Sequence, residues 1–483
     1  MQQGESTSMY RRIVKTTGLL GGVQVLSILC SIVRNKCIAL WLGPAGVGII
    51  GLYNTSIEMI GALTGLGLRQ SAVRNISRTH ASGDGQALAF LVTVLRRWSW
   101  LAGLLGAVVM LSTAPLLSRF TFGDDRHIWG YVWLSCALLF NALTSGDQAI
   151  LQGTQRLKQL SKAGVAGNVV ALLLSLPLYY CFRMEGIVPS LVLSSVVTFL
   201  FVWIYSRRGV ERHQPVSLRT TWNEGRSMVV LGVYMTVSGF LTTLFNYLFI
   251  GFIHRTSGDV DLGYYQAGYA VVTRYVGLVL AAMATDYYPR LAAVGDDPDR
   301  LGAQMSRQIE AALLMLAPVV SAFLLLQEWI IRVLYTAEFL CMESYFSWAM
   351  VGVLFKSLSW AMGFVLLAKG DGKLYLATEL ASDFCGFLLN VGGYYLWGLE
   401  GAGVAYLLNF VLYGAMMWWV CRRYYGIRLG RSWFGVAVWV VAGCSIVSTG
   451  YRLATTLSLS VAVGCAVAVS VAALWQLKRR LAL

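Results

Sequence analysis

Apolar residues recur along almost the whole chain in long runs that are separated by short polar segments. A run of about 18 or more apolar residues is what an α-helix needs to cross a bilayer. The pattern therefore predicts fourteen membrane-spanning helices, at about residues 13–41, 47–68, 88–111, 129–151, 162–182, 186–205, 228–253, 262–289, 308–331, 345–368, 374–397, 401–420, 433–449 and 457–475.

Composition agrees with this pattern. The 483 residues are 57% hydrophobic and 13% charged, and the mean hydropathy is +0.64. A soluble domain of this size carries far more charge. We therefore expect an all-α polytopic membrane protein. The predicted loops are too short to hold a soluble catalytic domain, and the four histidines lack metal-ligand spacing, so we expect no enzyme, no catalytic residue, no metal and no cofactor.

The net charge of +15 is distributed unevenly between the predicted loops. The terminal segments and the even-numbered loops hold 26 of the 38 Lys and Arg residues, whereas the alternate loops hold 6. Such alternation follows the positive-inside rule and predicts that both termini are cytoplasmic. The basic charge thus reflects membrane topology, and no nucleic-acid partner is expected.

An internal repeat is visible at one constant offset along the chain. YYCFRMEG (179–186) returns as YYLWGLEG (394–401), and at the same offset Gly48 corresponds to Gly263 and Lys158 to Lys373. The repeat predicts two six-helix lobes in parallel orientation that flank a central cavity, a geometry suited to alternating access. We expect an N-lobe at 1–205, a cytoplasmic linker at 206–227, a C-lobe at 228–425, and two accessory helices with a basic tail at 426–483.

Six basic residues lie within the apolar runs. A Lys or Arg at the centre of a membrane helix costs about 2.5–3.5 kcal/mol, so such residues face a wet cavity or a partner. For each of them, the alternative is an internal salt bridge. For Arg96 and Arg97 a further alternative is a cytoplasmic position, which follows if the third helix starts only at Trp98. The candidates for a cationic, substrate-binding cavity are Arg34, Lys36, Arg274 and Lys356, with Arg96 and Arg97 as weaker members.

Acidic residues also lie within the runs. Glu379 and Asp383 are four residues apart and therefore share one helix face. Two interpretations stay open for these acids: coupling to protons or sodium ions, and charge pairing with the basic residues. The candidates are Glu58, Asp147, Glu379 and Asp383, while Asp286 is close enough to a helix end to mark only that end.

Several segments carry a resemblance to a known family. They are LGPAGVGIIGLY (42–53), RRW with GLLGAVVML (96–111), LQGTQRLKQLSKAG (151–164), LPLYYCFRMEGIVPS (176–190), LGYYQAGYA (262–270) and YYPRL (287–291). In order and spacing they resemble the O-antigen translocases, the polysaccharide flippases of the multidrug/oligosaccharidyl-lipid/polysaccharide (MOP) exporter superfamily. The resemblance covers roughly residues 10–425.

This resemblance implies a two-lobed transporter that moves an undecaprenyl-diphosphate-linked oligosaccharide from the inner to the outer leaflet of a bacterial inner membrane. Arg34 matches a basic residue that similar flippases carry shortly before the glycine closing the first span. Lys36, Lys356 and Arg274 match positions where relatives tend to be basic. Polysaccharide polymerase and chain-length machinery are implied partners. Fourteen spans depart from the twelve of many O-antigen translocases.

The residues agree independently with such a cargo, because Arg binds phosphate bidentately and Lys supplies a mobile point charge. Two rival functions remain. A cation or drug antiporter of the same superfamily would have a cavity dominated by acids, whereas here buried bases are at least as numerous. An integral-membrane polysaccharide polymerase or ligase would be expected to carry a large external loop.

Overall fold

The structure is a computed structural model of the 483-residue chain. Its backbone is described for residues 2–207, 218–275, 297–430, 432–453 and 455–481, and for residues 277, 279, 280, 283, 284, 287, 290 and 291. Side chains are described from residue 26 to 207 apart from 70 and 81, from 236 to 273, at the same eight positions, and across 297–430, 433–453 and 455–479.

Helices and turns make up the described residues, with no strand among them. The α-helices are α1 (Gln2–Thr64), α2 (Leu68–Ala81), α3 (Gly85–Thr121), α4 (Ile128–Gly153), α5 (Leu157–Phe182), α6 (Ile187–Arg207), α7 (Leu218–Ala270), α8 (Pro298–Leu325), α9 (Gln327–Leu334), α10 (Glu343–Lys369), α11 (Gly372–Tyr425), α12 (Ser432–Leu453) and α13 (Thr456–Leu481). Short 3-10 segments occupy Arg183–Gly186 and Ala337–Met342, and a π-helical segment occupies Val271–Tyr275.

Ten helical stretches in the described part of the chain are long and apolar enough to cross a membrane. The predicted class, an all-helical multi-pass membrane protein, is therefore confirmed. Four of the ten stretches each run through two of the predicted spans, and they cover residues 26–64, 157–207, 236–273 and 372–425. The number of fourteen separate spans stays a prediction.

Sharp kinks lie inside those four stretches, where the predicted short loops fall. Gly43, Gly258 and Gly398 adopt φ values of 67°, 82° and 58°, and Arg183 adopts 50°. A positive φ cannot continue a right-handed helix, and glycine adopts it at little steric cost. The right-handed helix is therefore interrupted at these positions with almost no loop.

The kinks recur at the offset of the sequence repeat. The interval from Gly43 to Gly258 equals the interval from Arg183 to Gly398, and both equal the offset between YYCFRMEG and YYLWGLEG. Helix starts agree as well, because α10 and α11 begin at that same offset after α4 and α5. These coincidences support a duplicated sequence, although the arrangement of two six-helix lobes remains a prediction.

By its contacts the chain forms two compact units, unit 1 (Met1–Thr256) and unit 2 (Ser257–Leu483). The division lies within α7, beside the kink at Gly258. In unit 1 the part of α7 before the kink packs on the end of α3: Tyr247 stacks on Phe120 and shares a hydrogen bond with Thr121. The lobe boundary predicted at 206–227 lies mostly outside the described side chains and stays a prediction.

Each unit has its own core. In unit 1, α1, α3, α4 and α7 contribute to a cluster centred on Tyr53, Tyr131 and Leu134. In unit 2, α10 is the most enclosed long helix, with Tyr345 and Phe346 almost fully buried among its neighbours. Close helix contacts there require small residues, since a Cβ at Gly403 would lie 2.6 Å from the carbonyl oxygen of Tyr345.

Candidate functional site

Two of the predicted cavity residues lie on α1 in unit 1. Arg34 is half-buried, and its Nε is buried without a hydrogen-bond partner. Its guanidinium interacts electrostatically with Tyr179 of α5. Lys36 is also half-buried and interacts with a neighbour. A buried donor left unsatisfied costs about 1–3 kcal/mol, so Arg34 retains unused capacity to donate to an acceptor.

Arg96 and Asp147 form a largely buried charged contact in unit 1. Arg96 Nε on α3 lies 3.4 Å from Asp147 Oδ1 on α4, and Asp147 is buried. Ser206 of α6 donates its hydroxyl to the same carboxylate oxygen at 2.9 Å. Charge pairing is therefore the observed arrangement of Asp147. Arg97 is half-buried and interacts with another neighbour.

Glu58, the remaining acidic candidate of unit 1, is exposed on α1 and interacts with a neighbour. Close to it in the chain, the side chains of Ser56 and Tyr131 meet with their oxygens 3.4 Å apart. Both of those residues are fully buried. Glu58 thus lies at the surface of unit 1, whereas Ser56 on the same helix faces the core.

Lys356 lies on α10 in unit 2 and is half-buried among aromatic rings. Its Nζ is 5.2 Å from the ring centroid of Phe410 and 6.0 Å from that of Tyr406. Within the described residues no carboxylate lies at salt-bridge distance from this nitrogen. A cation held over aromatic faces without a counter-ion keeps its charge available for an anionic ligand.

Glu379 and Asp383 lie one turn apart on α11, as their spacing predicts. The hydroxyl of Tyr413 donates to Glu379 Oε1, and Asp383 interacts electrostatically with Glu379. Asn409 lies close by against Gly386, and its Oδ1 is buried without a hydrogen-bond partner. Two carboxylates, a hydroxyl and an amide oxygen are oxygen donors of the kind that hard cations prefer.

The eighth predicted span is only partly described. The backbone of Arg274 falls in the π-helical segment Val271–Tyr275, a conformation often found at functional sites. The side chain of Arg274 lies outside the described residues, and so does Asp286.

Sequence reasoning missed the neutral partners of the charged residues. Ser206 and Tyr413 accompany carboxylates, while Tyr406 and Phe410 accompany Lys356. Of these neutral partners, only Tyr406 and Phe410 could have been grouped from the sequence, because they are four residues apart and such residues share a helix face. Among the described residues no cluster of three or more His, Cys, Asp or Glu side chains could hold a metal ion.

An ion pair joins Arg119 in the last turn of α3 to Asp125 in the loop between α3 and α4, and Asp125 lies outside the spanning segments. Arg119 Nε donates to Asp125 Oδ1 at 2.7 Å, and this hydrogen bond holds the pKa of Asp125 below its usual value. His127 Nδ1 lies 3.0 Å from Asp124 Oδ1, and this contact lowers the pKa of Asp124. The loop is therefore organised by its own charges.

A multi-pass helical chain with basic side chains held inside its helices has the features of a membrane transporter. Solved structures with the same architecture agree. The lipid II flippase MurJ in an inward closed conformation has a TM-score of 0.73 at 11% identity, covering 96% of this chain and all of that one. An inward-facing multidrug resistance MATE family transporter of the MOP superfamily has a TM-score of 0.70 at 15% identity, covering 83% and 94%.

The sequence also matches the family described as polysaccharide biosynthesis protein over residues 38–344, and the chain belongs to this family. The lipid III flippases of Escherichia coli (strain K12) and Shigella flexneri are each 23% identical to it over 400 residues, or 78% of this chain and 91% of theirs. The predicted membership of the polysaccharide branch of the MOP superfamily is thereby confirmed. These relatives are transporters, and the chain is a transporter of that class, not an enzyme.

Proposed function

We propose that this protein flips an undecaprenyl-diphosphate-linked oligosaccharide, an O-antigen or similar surface polysaccharide unit, from the inner to the outer leaflet of a bacterial inner membrane. Support comes from the family match, from relatives that are named as flippases of lipid-linked precursors, and from the shared MOP fold. None of these similarities identifies the cargo. The proposed cargo rests on the resemblance of the sequence segments to O-antigen translocases.

The observation that carries the proposal is Lys356. Its ammonium group has aromatic neighbours but no described carboxylate at salt-bridge distance, and it lies within a spanning helix. Such a charge is costly unless a ligand or water compensates it. A diphosphate supplies the missing negative charge. Arg34, whose Nε lacks a partner, is proposed to share this role, together with Lys36 and Arg274.

Transport by alternating access requires that the head group be bound and then released. Lys is a mobile point charge, and it releases phosphate more readily than a bidentate Arg. We propose that Glu379 and Asp383 respond to a coupling cation, proton or sodium, and that Arg96 with Asp147 serves the structure of unit 1. Both termini are proposed to be cytoplasmic, with polymerase and chain-length machinery as partners in the membrane.

The multidrug antiporter alternative shares this fold, so fold alone does not separate the two functions. The sign of the uncompensated charge at Lys356 separates the two functions. A cationic drug would be repelled by Lys356, whereas a lipid diphosphate would be attracted. The anionic cargo is therefore the better fit.

The test is complementation of a strain that lacks its native O-unit flippase. Wild type, Lys356→Met, Lys356→Arg and the control Lys373→Gln would be compared at matched membrane abundance. Lys373 is exposed at the start of α11, so its substitution removes one positive charge outside the helix interior. Surface polysaccharide and the lipid-linked intermediate of the inner leaflet would both be measured.

We expect wild type and Lys373→Gln to restore polysaccharide, Lys356→Arg to restore part of it, and Lys356→Met to accumulate the intermediate. Full restoration by Lys356→Met would contradict the role of this charge. A purified wild-type protein that fails to flip fluorescent undecaprenyl-diphosphate oligosaccharides in vesicles, across several sugar compositions, would contradict the function itself.

A further inference from the structure

A basic side chain, Arg452, joins the C-terminal end of α12 to its neighbours in unit 2. Arg452 Nη1 donates to Glu400 Oε1 at 2.6 Å, and its Nη2 donates to the carbonyl oxygen of Ser344 at 2.9 Å. The guanidinium carbon lies 4.9 Å from the ring centroid of Trp348, whose Nε1 donates to the same Glu400 oxygen at 2.8 Å. We call Glu400, Trp348 and Ser344 the arginine seat.

The body of α12 lies on α8, and α13 packs beside it. The pair covers part of α8, where Ser321 lies 3.5 Å from Cys444 of α12. Leu316 and Val320 of α8 are fully buried in unit 2. The arginine seat and the covered face of α8 together form one docking surface for a membrane helix.

The same surface exists in unit 1, at the positions that the repeat offset assigns, but no described helix of unit 1 covers it. Glu185 and Trp133 correspond to Glu400 and Trp348 of the arginine seat. Leu101 and Leu105 of α3 correspond to Leu316 and Val320 of α8, yet they are 48% and 46% exposed. Trp133 is 61% exposed.

Charge distinguishes this surface from an ordinary lipid-facing one. Glu185 is exposed, and it forms no salt bridge with any described residue. Beside it opens a cavity of about 840 Å³ whose lining includes Arg126, His127, Trp129, Trp133, Glu185, Val188 and Leu193. Arg126 forms no salt bridge with Glu185 in the described part of the chain, and acyl chains, which would cover the leucines, offer no hydrogen-bond donor to this carboxylate. In the equivalent place of unit 2, Glu400 and Trp348 receive a guanidinium.

We propose that the surface formed by α3, Trp133 and Glu185 docks a transmembrane helix of a partner protein, and that this helix carries an Arg or Lys near its outer end. The basic side chain donates to Glu185 and lies on the ring of Trp133, as Arg452 does with Glu400 and Trp348. The apolar body of the partner helix covers Leu101 and Leu105. The chain's own α12 already occupies the surface of unit 2, so the partner is a separate polypeptide.

The experiment uses α12 itself as the probe, because its sequence is already matched to such a surface. A synthetic peptide of residues 432–453 would be incorporated into phosphatidylcholine vesicles with the full-length protein, which carries a photoreactive amino acid at Leu193 in the cavity. The measured quantity is the yield of peptide–protein cross-link. A peptide with Arg452→Gln tests the basic group, and Glu185→Gln in the protein tests its acceptor.

We expect each single change to lower the cross-link yield about tenfold, the loss typical of a charge-assisted hydrogen bond. Glu338→Gln is the matched control, because it removes an exposed carboxylate that does not line this cavity, and it should leave the yield unchanged. The exchanged pair, Glu185→Arg with a peptide carrying Arg452→Glu, should regain binding. Restoration by exchange separates recognition from damage to the fold.

Equal yields for the Arg and Gln peptides, or for wild type and Glu185→Gln, would overturn the proposal. Mass analysis of the adducts supplies a further criterion. Phospholipid adducts at Leu193 that the Arg peptide does not displace would assign the surface to lipid. Cross-links between two full-length chains that persist in excess peptide would assign it to a second copy. Either result would overturn the proposal that a partner helix docks here.

Discussion

Arg96 and Asp147 meet inside unit 1, with Nε of the arginine 3.4 Å from Oδ1 of the aspartate and the hydroxyl of Ser206 on the same oxygen. The side chain of Asp147 is only 6% exposed. The contact thus joins α3, α4 and α6 through one carboxylate. Both residues are candidates from the sequence for the cavity or for coupling, and their contact is consistent with the alternative of charge pairing.

Removing one partner of this pair should destabilise the protein. Arg96→Met leaves the carboxylate of Asp147 buried and unpaired, which typically costs about 3–5 kcal/mol. We expect a clear fall in the melting temperature of the purified protein, measured by scanning fluorimetry in detergent. Replacing both partners, Arg96→Met with Asp147→Leu, should recover most of the stability.

The same double variant separates structure from substrate binding. If the pair serves only unit 1, transport by the double variant should stay within about twofold of wild type, because no charge is left uncompensated. A stable double variant that accumulates the lipid-linked intermediate would show instead that Arg96 contacts the cargo.

Coupling to a cation should depend on Glu379. In the proposed role its carboxylate responds to protons or sodium while Tyr413 orients it, so Glu379→Gln should make transport insensitive to both gradients. The measurement is flipping in vesicles with an imposed pH or sodium gradient. Tyr413→Phe removes only the hydroxyl and should shift the ion concentration for half-maximal transport while transport itself persists.

The alternative role of Glu379 is charge pairing within the fold, and it provides a control for this prediction and a result that would contradict it. Glu338→Gln changes an exposed carboxylate of the 3-10 segment in unit 2 and should leave the ion response intact. If Glu379→Gln keeps the full ion response but lowers the melting temperature, the carboxylate pairs charges within the fold and does not couple transport.

A side chain at Gly258 should destabilise the protein, and the cause should be the backbone conformation of the kink rather than a steric clash. An added Cβ would meet nothing within 4 Å, but φ is 82° there, a value that residues with a Cβ rarely adopt. Gly258→Ala should therefore cost about 1–3 kcal/mol of stability. The melting temperature of the purified variant measures this cost.

Gly392→Ala provides the comparison for that prediction. This glycine also has open space around its Cβ position, but it lies within α11 away from the kink and has no positive φ. Alanine should be neutral or stabilising there by up to about 1 kcal/mol. Equal melting temperatures for the two variants would mean that the Gly258 conformation carries no strain when substituted.

The loop between α3 and α4 should lose order at low pH. The hydrogen bond from Arg119 holds the pKa of Asp125 below its usual value, so the bond stabilises the loop at pH values above that usual value of about 4. This contribution is lost as the pH falls through the lowered pKa. Hydrogen exchange of residues 122–127 should thus change little from pH 7 to 5 and rise, after correction for intrinsic rates, below about pH 4.

Asp125→Asn should remove part of that pH response, because it abolishes the titrating partner of Arg119. The neighbouring contact of Asp124 with His127 would remain. A wild-type loop whose corrected exchange is the same at pH 3 and pH 7 would contradict the prediction.

Sequence alone determined the helical class, the membrane location and the family of this protein, because these depend on local properties. Length and apolarity decide whether a segment can span a bilayer, and segments such as 42–53 carry the family resemblance. The repeat offset was also visible in sequence, at YYCFRMEG and YYLWGLEG. The kinks at Gly43 and Gly258 later recurred at that same offset.

Only the tertiary structure decided how the charged residues are partnered. Arg96 and Lys356 look alike in sequence, since each is a base inside an apolar run. One is paired with Asp147, 51 residues away, and the other lies among aromatic rings from a different part of the chain. Such partners come from helices that are distant in sequence, so helix packing sets them and no local pattern records them. Glu185 and Glu400 show the same limit, because their sequence context is shared while, among the described residues, only Glu400 accepts a hydrogen bond from an arginine.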